Sequence, residues 1–179
     1  MEKLYFIVDI DRCWGCKTCQ TACNTEHGYK ASDGWPIEVF RIENLSDRGE
    51  AVCDFLPVLC QHCDTPDCLG ACPSNAIVKG EDGIVFTKEE NCNGCGRCVE
   101  ACGYGAVLLR KTIDGKKKAM KCDLCVERHE RGFLPSCDQH CIGQAFQLCA
   151  GPEKDKMLSG YRYNWSCGQV VYVSNILRL

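Results

Sequence analysis

Cys60-Gln61-His62-Cys63 followed by Cys68 and Cys72-Pro73, and then Cys92-Asn93-Gly94-Cys95-Gly96-Arg97-Cys98 followed by Cys102, set the pattern for the whole protein. Each run places three sulfurs close together in a short loop and a fourth one helical turn further on. Three thiols at that spacing suit three corners of one iron-sulfur cube. Between the runs, Ala76-Ile77-Val78-Lys79 and Ile84-Val85-Phe86-Thr87 flank the turn Gly80-Glu81-Asp82-Gly83, which predicts a β-hairpin.

In two-cluster bacterial ferredoxins the distant fourth cysteine of such a run ligates the neighbouring cluster. The same exchange assigns Cys60, Cys63, Cys68 and Cys102 to one cluster, and Cys72, Cys92, Cys95 and Cys98 to a second. Working outward, Cys13-Trp14-Gly15-Cys16-Lys17-Thr18-Cys19 is followed by Cys23, and Cys122-Asp123-Leu124-Cys125 by Cys137-Asp138-Gln139-His140-Cys141. The outer pair then divides as Cys13, Cys16, Cys19 and Cys141, against Cys23, Cys122, Cys125 and Cys137. These ligands predict four [4Fe-4S] clusters. An inner ferredoxin-like module, residues 60–102, sits between the halves of an outer one, 1–59 and 103–149, and 150–179 remain as a C-terminal extension. The fold class is α+β, with tandem, nested modules built from short helices and β-hairpins.

Zinc is the serious chemical competitor, because its four-thiolate sites also begin with paired Cys-x2-Cys steps. The third close cysteine argues against it: the first and third motifs are both Cys-x2-Cys-x2-Cys-x3-Cys, and a tetrahedral site rarely draws three ligands from seven consecutive residues. The second motif stretches its middle gap to four residues and the fourth to eleven, each keeping the terminal Cys-x3-Cys. Disulfides need an oxidising compartment. The N-terminal run Leu4-Tyr5-Phe6-Ile7-Val8 is too short for a signal peptide and is bounded by Asp9, which points to the cytoplasm.

Nineteen cysteines among 179 residues lie beyond the range where composition alone suggests a cross-linked small protein. The formal net charge of -3 argues against nucleic acid as a partner, and Lys116-Lys117-Lys118 is too short a run to reverse it. Filling the four sites lowers the charge by roughly eight units more. No apolar run approaches the roughly 20 residues that span a bilayer, so direct membrane insertion is not expected. No hydrolytic constellation or Gly-rich nucleotide loop competes for the chemistry, and the expectation is a non-catalytic subunit.

Local patterning fills in the rest. Residues 4–8 predict an opening strand, and Lys17 to Thr25 a helical turn or two carrying Cys23. Ile37 to Ile42 and Val52 to Leu59 predict two strands about the turn Asp47-Arg48-Gly49-Glu50. The hairpin recurs after the third motif, from Ala106-Val107-Leu108-Leu109-Arg110 through Asp114-Gly115 towards Met120. Val126 to Arg131 predict a helix ended by Gly132, and Ala145 to Leu148 a strand. The polar stretch Gly151 to Gly160 reads as a loop, and Val170 to Val173 as a last strand, docked or mobile.

With these positions in hand, the sequence resembles the four-cluster iron-sulfur subunits of the dimethyl sulfoxide reductase family of molybdenum and tungsten enzymes, polysulfide reductase type included. It is also similar to the small subunits of tungsten aldehyde oxidoreductases. The resemblance covers roughly residues 4–149 and rests on Cys13-Trp14-Gly15-Cys16, Cys60-Gln61-His62-Cys63 with Cys72-Pro73-Ser74-Asn75-Ala76-Ile77, and Cys122-Asp123-Leu124-Cys125. It implies a subunit that docks on a large pterin-metal catalytic subunit and passes electrons to or from a membrane anchor or soluble carrier. Cytoplasmic placement follows, at the membrane face through a partner, with export alongside a signal-bearing partner as the other route. The family usually has proline after the last cysteine of several motifs, whereas here Gly103 follows Cys102 and Ile142 follows Cys141. Each departure frees an amide able to bond sulfur. A free-standing polyferredoxin shuttling electrons between soluble enzymes is the alternative, and a zinc-rich structural module a third reading.

Cys53, Cys149 and Cys167 fall outside the motifs and read as small buried hydrophobes. His62 and His140 read as surface or backbone-bonded imidazoles, with tuning of a cluster potential as the sharper alternative. Trp14 suits shielding of a cluster or tunnelling, and Lys116 to Lys118 a solvated tip or a dock for an acidic partner.

Overall fold

The computed structural model describes residues 2–46, 48–166 and 168–176. Strand β1 (Leu4–Asp9) alternates Phe6 and Val8 on one face with Ile7 on the other, and all three are buried. A strand covered on both sides reads as a continuous apolar run, which is the pattern here. It lies second in a four-stranded sheet of order β8-β1-β10-β9, with β8 at Phe146–Ala150, β9 at Tyr163–Ser166 and β10 at Val170–Ser174. β1 runs parallel to β10, with Phe6 opposite Val170, and antiparallel to β8, with Val8 opposite Phe146. The rings of Phe6 and Phe146 stack at 5.5 Å.

The last strand is therefore docked. Val170, Val171 and Val173 are buried, and the Tyr172 hydroxyl accepts from the Gln61 side chain at 3.0 Å, so the C-terminal strand braces the second cysteine motif. Gln169, just before it, accepts Phe6 N–H at its carbonyl, and its side-chain amide donates to the Leu4 and Asp82 carbonyls. Those bonds fasten the turn of the inner hairpin to the outer sheet.

Three two-stranded hairpins complete the strands: β2 (Ile37–Leu45) with β3 (Ala51–Leu59), β4 (Ile77–Lys79) with β5 (Val85–Thr87), and β6 (Val107–Lys111) with β7 (Lys117–Lys121). All three fall where the alternation predicts them. The helices are short because each carries one or two thiols past a loop: α1 (Thr18–Glu26) holds Cys19 and Cys23, α2 (Asp67–Gly70) Cys68, α3 (Arg97–Ala101) Cys98 and α5 (Ser136–Gln139) Cys137. α4 (Val126–Glu130) fills the long gap of the fourth motif, where a helix is expected. Short helices and short sheets in this proportion make an α+β fold.

One expectation fails. Gly151 to Leu158 form helix α6 rather than a loop: Pro152 sits in its first turn, and Glu153 accepts Ala150 N–H at 3.2 Å as a cap. Met157 and Leu158 then cover the face of the sheet that carries Ile7, Cys149, Val171 and Val173. The polar residues that suggest a loop are good helix formers facing solvent.

Candidate metal centre

Each motif opens with a residue that turns the backbone round onto its first sulfur. Gly15, His62, Gly94 and Leu124, the residue before the second cysteine in each motif, all have positive φ, at 68°, 46°, 72° and 54°. The turn aims an amide at the first thiol: His62 N–H donates to Cys60 Sγ at 3.5 Å and Leu124 N–H to Cys122 Sγ at 3.4 Å. A second bend follows the last cysteine of three motifs, at Asn75, Gly105 and Gln144. There Ala76 N–H reaches Cys72 Sγ and Ala145 N–H reaches Cys141 Sγ, both at 3.3 Å. The Cys141 amide partner is thus four residues downstream. Cys23 departs from this pattern because α1 simply continues past it to Glu26.

Several motif thiols have thiols of other motifs among their electrostatic neighbours. Burial pushes the Cys13 thiol up, and the charges of Cys141 and Cys16 add to it. Cys19 is driven to about 12 by burial, then by Cys13 and Cys141. Burial holds Cys23 and Cys122 well above the usual thiol range; Cys125 adds to the first, Cys23 and Cys137 to the second. Cys68 reaches about 11 through burial, with Cys60 and Cys102 beside it, and Cys63 has the same neighbours. Cys98 is raised by burial and then by Cys92 and Cys72. Cys72 itself is lowered: burial works upward, but donors at Ile77, Ser74 and Ala76 outweigh it.

Cys19 also acts on Cys23 and Cys137, and Cys60 on Cys122. Helices α2 and α3 separate Cys68 from Cys72 and Cys98 from Cys102. Of the sixteen motif cysteines only Cys16 and Cys95 are exposed. Among the described residues no cysteine is in a disulfide.

The donor sets fit a cluster better than a single ion, because a tetrahedral zinc site rarely draws three ligands from seven consecutive residues. Cys72, Cys92, Cys95 and Cys98 line one cavity with Gly94 and Gly96. Gly94 is needed there because a Cβ would collide with the Lys117 carbonyl oxygen.

Three lysines brace the cluster loops through their carbonyls. Lys79 Nζ donates to Cys63 O at 2.9 Å and Asp64 O at 2.8 Å, Lys118 Nζ to Glu89 O at 2.7 Å and Cys92 O at 2.6 Å, and Lys121 Nζ to Cys122 O at 2.6 Å and to Val85 O. Motif reading misses them, though strand alternation offers a signal: Lys121 shares a face of β7 with buried Ala119. His27 is also missed. It follows α1, and its Nε2 lies 3.5 Å from Cys125 Sγ and 3.6 Å from Asp123.

The residues outside the ligand sets fare unevenly. Cys149 is buried as expected, whereas Cys53 is exposed on the outer half of β3, where Arg41 Nε lies 3.2 Å from its sulfur and most of that end of the β2–β3 ribbon is open to solvent. Cys167 lies outside the described residues. His62 is fully buried rather than at the surface; its Nδ1 accepts Val85 N–H at 2.9 Å, its Nε2 has no partner among the described residues, and burial with the Lys121 and Lys79 charges holds it well below the usual histidine range. His140 Nδ1 bonds Ser136 O at 2.8 Å. Trp14 is 65% exposed, so it does not seal a cluster from water. Lys116 and Lys117 form the solvated tip, but Lys118 is turned inward to its two carbonyls. Among the described residues no helix is long and apolar enough to cross a membrane.

A family model for the 4Fe-4S dicluster domain matches residues 51–150, and one for a 4Fe-4S binding domain matches residues 10–26. A tetrathionate reductase subunit of Archaeoglobus fulgidus is 39% identical over 129 residues, 71% of this chain and 57% of that protein. Its namesake in Salmonella typhimurium is 35% identical over 145 residues, 80% of this chain and 56% of that protein, so the chain spans just over half the length of these relatives. An anaerobic dimethyl sulfoxide reductase component of Escherichia coli is 34% identical over 142 residues, 76% of this chain and 68% of that protein. With the dicluster model covering more than half of its length, this protein belongs to the 4Fe-4S dicluster family of iron-sulfur proteins that includes these reductase subunits.

Proposed function

We propose that the protein is the electron-transfer subunit of an oxidoreductase complex, holding four [4Fe-4S] clusters and relaying electrons between a molybdenum- or tungsten-pterin catalytic subunit and a membrane-bound or soluble redox partner. The ligand sets are Cys13, Cys16, Cys19 and Cys141; Cys23, Cys122, Cys125 and Cys137; Cys60, Cys63, Cys68 and Cys102; and Cys72, Cys92, Cys95 and Cys98. The inner module of residues 60–102 is nested in the outer one of 1–59 and 103–149, and the extension of 150–179 completes the outer sheet.

One observation carries the reading. Of the sixteen motif cysteines only Cys16 and Cys95 are exposed, and the proposed ligand sets put them in the first and last clusters of a row of four. Bound clusters supply one-electron redox chemistry, while the protein supplies thiolates, spacing, burial and hydrogen bonds to sulfur. Exposed ends let an electron enter from one partner and leave to another, and buried middle groups keep water from the relay. Trp14 and Ile142, 65% and 63% exposed beside the Cys16 end, offer an apolar contact for such a partner.

Anaerobic isolation of the native complex tests this. About sixteen iron atoms per chain, magnetic resonance from reduced clusters, and co-elution with one large pterin-metal subunit are expected. Zinc without iron, or a stable iron-loaded monomer with no partner, would overturn the cluster reading or the subunit reading respectively.

A further inference from the structure

Lys121 is 4% exposed, and among the described residues no carboxylate pairs with it. Two of its hydrogens go to the carbonyls of Cys122 and Val85. Those acceptors belong to different groups of the relay. Cys122 opens the fourth motif, while Val85 donates its own N–H to Nδ1 of His62, which stands between Cys60 and Cys63. Because Nδ1 accepts, that ring is the neutral tautomer and adds no positive charge. Glu89, Glu90, Asp123 and Glu127 line the groove that Lys121 borders, yet none forms an ion pair with it.

A buried cation without a carboxylate needs other negative charge close by. Besides the carboxylates of that groove it faces thiols: Cys122 is next in sequence, and the Lys121 charge draws Cys68 down against the stronger, upward influence of burial. Cys122 in turn feels Cys60 across the same joint.

We propose that Lys121 is the counter-charge of the two middle clusters and sets both of their reduction potentials. This rests on the ligand sets given above. Each reduction adds one electron to a cluster with no bond made or broken, and a fixed positive charge at the joint stabilises the added electron. The joint thereby favours electrons in the middle of the relay over its ends, and one residue tunes two centres together.

The test is Lys121→Met and Lys121→Arg in the iron-loaded protein with its partners, followed by redox-poised electron paramagnetic resonance. Iron content comes first: fewer than about sixteen atoms in the parent protein sinks the ligand sets and not Lys121 alone. With iron intact, Lys121→Met should lower the midpoints of the clusters perturbed by Cys137→Ser and by Cys68→Ser by about tenfold in reduction equilibrium, roughly 59 mV for a one-electron couple. Lys121→Arg should restore them, and the cluster perturbed by Cys95→Ser should stay fixed. Unmoved middle midpoints, or equal shifts in all four, overturn the proposal. If Lys121→Met loses iron, Lys121→Arg and Lys121→Gln decide: iron retained by Arg alone supports a role for charge, and equal loss in both refutes it.

Discussion

The Nε2 of His27 lies 3.5 Å from the sulfur of Cys125, across 98 residues of sequence. Asp123 Oδ1 is 3.6 Å from the same nitrogen, and the His27 ring stacks on Tyr29 at 5.3 Å, so its position is held from two sides. A donor on a ligand sulfur withdraws charge from the cluster and raises its potential. His27→Leu should therefore lower the midpoint of the cluster perturbed by Cys137→Ser and leave the other three unchanged, as read by redox-poised magnetic resonance. An unchanged midpoint with normal iron content would show that the contact does not tune the cluster.

Gly94 and Gly105 both have positive φ, but only Gly94 is hemmed in, with the Lys117 carbonyl oxygen where a Cβ would need room. Gly105→Ala should cost about 1–2 kcal/mol, the strain of a left-handed alanine. Gly94→Ala adds a backbone collision inside the cavity of Cys72, Cys92, Cys95 and Cys98, so it should also release one cluster, about four iron atoms per chain. Denaturant melts and iron analysis on the two variants separate the effects. Equal iron content in both would mean that the loop can yield.

Cysteine spacing made the loops, the thiol-bearing helices and the hairpins legible, because a polydentate cofactor leaves few ways to place sulfur. Local patterning predicts a strand at Val170 to Val173 but not its place inside the four-stranded sheet, since a parallel partnership with Phe6 to Asp9 leaves no local mark. Helix α6 was hidden for the opposite reason: its polar face resembles a loop, and only the apolar pair Met157 and Leu158 betrays the packed side. At the site, the cysteine motifs stand out in the sequence but the residues around them do not. His27, Lys79 and Lys121 act through contacts made by folding, and no fixed spacing marks them.

Tyr161 donates its hydroxyl to Asp9 Oδ2 at 2.7 Å, and Asp9 caps the turn that leads into Cys13 by accepting Asp11 N–H at 3.1 Å. Burial first, and then this carboxylate, push the tyrosine up to about 12. Its folded value thus exceeds the unfolded one of about 10, so its stabilising contribution is complete below about pH 10 and is lost as pH rises through the folded value. Tyr161→Phe should cost about 1–2 kcal/mol at neutral pH. The gap in melting temperature between parent and variant should then close between about pH 10 and pH 12. A gap that persists at the alkaline end would mean that the contact is not made in solution.

Cys141 follows Cys137 by one helical turn, yet its charge acts on Cys13 and Cys19 of the first motif, and Ala145 N–H holds its sulfur at 3.3 Å. Cys137 instead lies among Cys125, Cys23 and Cys19. If ligands followed sequence, Cys141→Ser and Cys137→Ser would perturb the same cluster. The exchanged grouping predicts otherwise: Cys141→Ser should reproduce the spectral change of Cys16→Ser, and Cys137→Ser that of Cys23→Ser, with the inner clusters untouched in all four. The reason is geometric, because one helical turn carries a sulfur about 5.4 Å along the axis, away from the loop that holds its sequence neighbours. Magnetic resonance of the reduced variants reads the outcome directly. A Cys141→Ser spectrum that matches Cys137→Ser would undo the nested arrangement while leaving the count of clusters intact.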